Sequence, residues 1–229
     1  NASPNGGVYI SMSHLGEDKV RALFPGMVKR CADSGFDLAA GKVEVVPTAH
    51  YFMGGVVVDV DTKTQMPGLY VAGEDAGGAH GSNRLGGNGV ANSTVYGGVA
   101  GDIMGRDALK MGALREPDEG ILQDEIARAC RPFAKTGGDL NSLRQDLRQT
   151  MWDDVGVMRD AAGLKTGLQK LEQIKRDLYD IGVEDGVRAF NLTWHDWLNL
   201  DNLIEISQVI GAAALARENS RGAHFREDF

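Results

Sequence analysis

The chain has 229 residues, of which 42% are hydrophobic and 24% charged, an ordinary composition for a globular protein. Its net charge is −8 and its 24 Lys and Arg residues are scattered, so no basic stripe favours a nucleic-acid partner. Two distant cysteines form neither a disulfide framework nor a metal-binding spacing, and the longest apolar run, residues 209–216, is far shorter than the ~20 residues of a membrane-spanning helix.

The first 72 residues predict a mixed sheet with helices. Residues 17–34 have helical periodicity, but Pro25-Gly26 interrupts it. The segment 69–72 is a short apolar strand that leads directly into Gly73-Glu74, and ligands of open α/β sheets lie beyond such strand ends. Four β-branched or apolar runs predict the strands, at residues 8–12, 43–46, 56–60 and 69–72.

Residues 89–111 predict a helix that contains an unusual number of glycines. Gly97, Gly101 and Gly105 are spaced by four and form one smooth face, which suits close packing on a sheet or a cofactor. The amino-terminal end of such a helix carries a partial positive charge and favours an anion.

Beyond a linker at residues 112–118, the sequence predicts an up-and-down helical bundle. Its clearest amphipathic stripe consists of Leu168, Leu171, Ile174, Leu178 and Ile181. Asp201 or Thr193 is the expected cap of the last long helix. The Trp and Met residues of this half are expected in the core, namely Trp152, Met158, Trp194 and Trp197.

A cluster of polar side chains among glycines, between residues 50 and 88, predicts the functional site. Arg84 has a fork of donors that fits a carboxylate, and it stays protonated at working pH. His50 can donate a hydrogen bond to a second carboxylate, and Glu74 can accept one from a ribityl or ribose hydroxyl. Each residue alone could be a structural ion pair or a satisfied polar group, and for a lone arginine that interpretation is favoured. Together they favour a site that wraps a flat, polar cofactor.

Three motifs in this stretch resemble the flavoprotein subunit of succinate dehydrogenase and fumarate reductase, a family that also contains L-aspartate oxidase. They are residues 47–55 (Pro-Thr-Ala-His-Tyr-Phe-Met-Gly-Gly), 68–74 (Gly-Leu-Tyr-Val-Ala-Gly-Glu) and 80–88 (His-Gly-Ser-Asn-Arg-Leu-Gly-Gly-Asn). The resemblance continues in order to residues 200–203 and 218–224, so it covers nearly the whole chain.

The resemblance implies an FAD-dependent oxidoreductase that transfers a hydride between flavin and a dicarboxylate. His50 and Arg84 match the residues that hold the substrate carboxylates. The residues expected at the FAD are Glu74, Arg84, Asn88, Gly89 and Val90. The expected partners are a dicarboxylate and an iron–sulfur electron-transfer subunit, and the expected location is cytoplasmic, at the inner face of the membrane.

The implied fold is α+β, a partial FAD-binding domain and a capping-domain remnant followed by a helical bundle. Residues 1–45 match the end of the capping domain, 46–111 the C-terminal half of the FAD-binding domain, and 112–229 the helical domain.

Three departures limit what the resemblance implies. The ADP-binding Gly-x-Gly-x-x-Gly unit is absent from the sequence, and the arginine proton donor is expected upstream, so we assign no catalytic residue to this piece and expect it to be inactive alone. The family usually reads Asn-Ser-Leu-Leu-(Asp or Glu) where residues 88–92 read Asn-Gly-Val-Ala-Asn. Two alternatives stay open: an L-aspartate oxidase-like or other carboxylate oxidoreductase, and a non-catalytic helical interaction module with a decayed flavin half-site.

Overall fold

The computed structural model describes residues 3–4, 6–46, 50–113 and 116–229. The chain divides into two compact units, Asn1–Ala49 and His50–Phe229. Residues 47–49, which open the first of the three motifs, lie outside the described residues, as do residues 114–115 of the predicted linker. The three-domain division given above stays a prediction.

The first unit is a two-stranded sheet with two short helices. Strand β1 (Val8–Ile10) pairs antiparallel with β2 (Val43–Val45), as the β-branched runs predicted. Helix α1 (Glu17–Leu23) ends before α2 (Pro25–Asp33), so the predicted break is confirmed. Proline has no N–H to donate and cannot continue a helix, but its fixed φ suits the first position of the next one. Val20, Leu38, Ala39 and Val43 form the small core.

The strands predicted at residues 56–60 and 69–72 are wrong as extended elements. Each makes one isolated bridge, Val56 with Ala76 and Lys63 with Tyr70. Side chains also close turns here: Asp59 Oδ1 accepts from the Lys63 N–H at 2.9 Å, and Thr64 Oγ1 accepts from the Met66 N–H at 3.0 Å.

In its described residues, the second unit is built around five α-helices. They are α3 (Asn88–Lys110), α4 (Glu119–Cys130), α5 (Leu140–Asp153), α6 (Ala161–Asp180) and α7 (Leu192–Ala216). The part of the chain that the structure describes also contains three 3-10 turns, at Ser13–Leu15 in the first unit and at Gly73–Asp75 and Arg131–Ala134 in the second. This architecture confirms the α+β class with a helical C-terminal part.

The main core lies where α5, α6 and α7 pack together, as the amphipathic stripe predicted. Leu171, Leu178 and Trp197 are fully buried there, and the Trp197 indole N–H donates to the Leu178 carbonyl at 3.1 Å. Trp194 packs on this core, but the core assignment of Trp152 and Met158 is wrong, since 50% and 58% of their surfaces are exposed.

The predicted caps of the last helix are also wrong. Helix α7 begins at Leu192, and the side chain of Asn191 caps it by accepting from the Trp194 N–H at 2.9 Å. Asp201 lies in the middle of α7, buried, where Arg128 of α4 donates to its Oδ2 at 2.5 Å. Among the helices of the described residues, none combines the length and apolar character that a bilayer-spanning helix requires.

The glycine face of α3 packs on nothing in the part of the chain that the structure describes. A Cβ at Gly97, Gly101 or Gly105 would meet no atom within 4 Å. The face is therefore smooth, as predicted, but its expected packing surface is not provided by the described residues.

Candidate functional site

A cleft of about 620 Å³ lies at the start of α3 in the second unit. Five of the six predicted site residues line it, and the sixth, Asn88, is the first residue of α3 beside them. The lining residues are His50, Tyr51, Glu74, Arg84, Gly87, Gly89, Val90, Ser93 and Thr94. We refer to this space as the site cleft.

Glu74 reaches the site cleft from the 3-10 turn Gly73–Asp75. Its Oε1 accepts a hydrogen bond from the Phe52 N–H at 2.9 Å, which fixes the carboxylate beside the segment that carries His50. The second carboxylate oxygen has further acceptor capacity for a hydroxyl group.

The guanidinium of Arg84 lies over an aromatic ring in the site cleft. Its Cζ is 4.3 Å from the centre of the Tyr51 ring, within the range of a cation–π contact. Its Nη1 donates to the Leu85 carbonyl at 3.2 Å, and its buried Nε–H has no hydrogen-bond partner. None of the described carboxylates lies within 4.0 Å of its guanidinium. A cation held in place without a counter-ion is suited to bind an anion.

Helix α3 directs its first turn at the same space. It begins after Gly87 with no side-chain cap, and Gly89 and Val90 of this turn line the cleft. The first four N–H groups of a helix lack partners inside the helix, and they favour negative charge. A Cβ at Gly89 would lie 3.0 Å from a ring carbon of Tyr51, so glycine lets the helix start approach that ring closely.

A hydrogen-bond network that was not predicted from the sequence lies next to the cleft and includes its lining residue Tyr51. The side-chain amide of Asn92, a residue only 6% exposed, donates to the Gly73 carbonyl at 3.0 Å and lies 3.0 Å from His80 Nε2. The Tyr51 hydroxyl is 3.2 Å from the same nitrogen. Tyr51, Gly73 and His80 belong to the glycine-rich stretch and Asn92 lies four residues beyond it, but nothing in the spacing of these residues indicates that they meet.

An ion pair at the other end of α3 holds the helix against the turn at residues 59–71. Asp107 accepts from Lys63 Nζ at 2.7 Å and from the Tyr70 hydroxyl at 2.7 Å. The bond from Lys63, followed by that from Tyr70, lowers the pKa of Asp107, and the same bonds raise the pKa of Lys63 and of Tyr70. Within the described residues, no group of three His, Cys, Asp or Glu is arranged to hold a metal ion.

Comparison with known proteins identifies the family to which this site belongs. A family model described as "FAD binding domain" matches residues 1–90, and one described as "Fumarate reductase flavoprotein C-term" matches residues 144–229. One subunit of the fumarate reductase (CoM/CoB) of Methanothermobacter marburgensis is 34% identical over 226 residues. The chain belongs to the fumarate reductase and succinate dehydrogenase flavoprotein family.

Other members of the flavoprotein family are also similar to this chain, one in sequence and one in structure. The L-aspartate oxidase of Synechocystis is 30% identical over an alignment of 235 positions, which covers 96% of this chain and 41% of that protein. The FrdA chain of E. coli quinol fumarate reductase superposes on the whole chain with a TM-score of 0.89 at 28% identity, covering 40% of FrdA. The alignment with the M. marburgensis protein covers 98% of this chain and 41% of that protein. The chain therefore spans about 40% of the length of the relatives it matches.

The family model assigns FAD as the cofactor of this flavoprotein family, and the site residues fit such a group. Gly87, where a Cβ would meet no atom within 4 Å, lines the open space at the start of α3, and the Nε–H of Arg84 is buried without a partner.

Proposed function

We propose that the site cleft holds a dicarboxylate against FAD, and that the whole protein is an oxidoreductase of the succinate/fumarate type. The guanidinium of Arg84 carries this proposal. It is fixed over Tyr51, it has no counter-ion among the described residues, and it shares the cleft with His50 and the first turn of α3. FAD, when bound, would supply the hydride acceptor or donor of the reaction.

Each of the five predicted site residues that line the cleft has a role in this proposal. Arg84 binds one substrate carboxylate through two parallel hydrogen bonds and thereby fixes the orientation of the carbon chain. His50 donates a hydrogen bond to the other carboxylate. Glu74 accepts from a cofactor hydroxyl, while the N–H groups of Gly89 and Val90 favour negative charge at the cofactor.

The electron partner in this proposal is an iron–sulfur protein, and the assembled complex lies at the inner face of the membrane. The related M. marburgensis protein is named as one subunit of its enzyme, which supports a partner chain. We propose in addition that the 229-residue chain is inactive by itself, because it spans only about 40% of the length of its relatives. Fumarate reduction by the isolated chain with an artificial electron donor would contradict this.

A second candidate is L-aspartate oxidation, since the Synechocystis relative is an L-aspartate oxidase. L-Aspartate is a four-carbon dicarboxylate like succinate and differs from it by an amino group on the carbon next to one carboxylate, so the two functions are separated by substrate. Turnover of succinate, fumarate and L-aspartate by the full-length flavoprotein decides between them. The succinate/fumarate proposal predicts that kcat/KM for L-aspartate is the lowest of the three.

The Arg84→Ala variant of the full-length flavoprotein tests whether the site works at all. The loss of a charge-assisted, bidentate contact in the transition state is expected to cost several kcal/mol, or ~10²–10³-fold in kcat/KM. The non-catalytic alternative predicts instead that this substitution changes no rate.

A further inference from the structure

We propose that a turn near the C-terminus positions the substrate-binding arginine, and that Gly222 is the residue on which this depends. The turn consists of residues 221–224 and is called the tail turn below. It contacts the segment that carries Arg84, residues 79–87, called the arginine loop. This inference rests on the function proposed for the site cleft and assigns it a positioning element about 140 residues away in the chain.

The arginine loop has little backbone structure of its own. Among the described residues, two backbone hydrogen bonds hold it: the Ala223 N–H donates to the Ser82 carbonyl at 3.1 Å, and the Asn88 N–H donates to the Leu85 carbonyl at 3.2 Å. The first of these bonds lies two residues before Arg84. The position of the arginine backbone therefore depends on an interaction with the tail turn.

The tail turn is closed by its own hydrogen bonds. The Arg221 N–H donates to the His224 carbonyl at 2.8 Å, and the His224 N–H donates back to the Arg221 carbonyl at 3.1 Å. Such a reciprocal pair fixes the direction of the Ala223 N–H, which lies between the two residues and points to the Ser82 carbonyl.

Glycine is required at position 222 for two separate reasons. Its φ is +59°, in the left-handed region that side chains with a Cβ rarely adopt. In addition, a Cβ at this position would overlap the backbone carbonyl of Ser82. The second reason concerns the arginine loop directly, because an added methyl group could be accommodated only if the loop moved away.

The other side of the tail turn is fixed to the helical bundle. His224 Nδ1 accepts from Arg159 Nη1 at 2.9 Å, and its Nε2 then donates to the Arg217 carbonyl at 3.3 Å. Arg159 in turn donates from Nε to the carbonyl of Gly156 at 2.7 Å. Burial lowers the pKa of His224, which favours the neutral imidazole that this arrangement requires. The helical bundle therefore fixes the position of the tail turn, and the tail turn fixes the position of the arginine loop.

The Gly222→Ala variant of the full-length flavoprotein tests this coupling. Gly137→Ala is the matched control, because Gly137 also has a positive φ of +73° but a Cβ there would meet no atom within 4 Å. Steady-state kinetics with fumarate give one readout. The rate at which trypsin cleaves after Arg84 in the native protein gives a second, which does not depend on activity.

We expect Gly222→Ala to lower kcat/KM by ~10–100-fold, since a displacement of about 1 Å of a binding group has effects of this size. Most of the loss is expected in KM, because a displaced guanidinium weakens the binding of substrate and transition state alike. Cleavage after Arg84 is expected to become faster, and Gly137→Ala should change neither readout. A variant with a wild-type KM and a wild-type cleavage rate would overturn the inference.

The two readouts separate this inference from the proposed function. If the wild-type protein turns over no dicarboxylate, the proposed function fails, and the cleavage rate alone decides whether the tail turn holds the loop. If Gly222→Ala does not fold, His224→Ala takes its place, since it removes the two side-chain bonds that fix the turn and leaves the Ser82 contact sterically possible. Unchanged cleavage after Arg84 in that variant would overturn the inference equally.

Discussion

Replacing Asn92 with Asp changes one functional group and tests the hydrogen-bond network of Asn92, His80 and Tyr51 next to the site cleft. The side chain keeps its size, but its amide donor becomes an acceptor. The substitution also restores an acidic residue of the kind that the family usually carries at this position. The experiment therefore asks whether the contacts of this chain require the amide.

The expected cost follows from the contacts of the Asn92 amide. It donates to the Gly73 carbonyl at 3.0 Å and lies 3.0 Å from His80 Nε2, in an environment where the residue is 6% exposed. The lost hydrogen bond to Gly73 contributes about 1 kcal/mol, and a buried carbonyl that faces a carboxylate oxygen without a donor adds ~1–3 kcal/mol. We expect a local destabilisation of about 2–4 kcal/mol.

Native-state amide hydrogen exchange measures this quantity where it arises. A loss of ~2–4 kcal/mol corresponds to exchange that is roughly 30- to 900-fold faster in the first half of α3, with little change in α6. Asn199→Asp, the same atom change at an exposed position of α7, is the control and should leave both helices unaffected. An acceleration below about threefold would show that Asn92 does not act as a donor to Gly73 and His80.

Two further predictions concern the ion pairs of the helical part. Arg128→Met leaves the buried Asp201 carboxylate without its cation, so the free energy of urea unfolding, followed by tryptophan fluorescence, should fall by about 3 kcal/mol. The double variant Arg128→Met/Asp201→Leu should recover most of this loss, and failure to recover would contradict the explanation. Hydrogen bonds from Arg226 hold the pKa of Asp228 well below its unfolded value, so this contribution is complete above the unfolded pKa of ~3.9 and is lost as the pH falls below it. The difference in Tm between wild type and Asp228→Asn should therefore shrink as the pH is lowered from about 6 to about 2, and a difference independent of pH would count against this role.

The sequence predicted those features that a local pattern determines. The stripe that contains Leu171 and Leu178 identified α6 and its buried face, because a helix repeats every 3.6 residues. Pro25 marked the break between α1 and α2, because proline cannot donate within a helix. Glu74 and Arg84 were predicted as site residues because they are polar groups among glycines, and both line the site cleft.

Features that depend on contacts between distant segments were not predictable. The hydrogen-bond network next to the cleft is formed by Tyr51, His80 and Asn92, which only the folded chain brings together. The tail turn reaches Ser82 across about 140 residues, and no periodicity encodes that contact. The run at residues 56–60 has the composition of a strand, but strand formation depends on a neighbouring backbone that composition does not specify.

The affinity of a dicarboxylate for the full-length flavoprotein, measured through the change it causes in the flavin absorption spectrum, tests the central claim most directly. The comparison is between wild type and Arg84→Lys, which keeps the charge but removes the fork of donors. We predict that the Kd for fumarate rises by at least about tenfold, because one charge-assisted hydrogen bond contributes ~1.5–3 kcal/mol. An unchanged Kd would contradict the claim that Arg84 binds the substrate carboxylate in the site cleft.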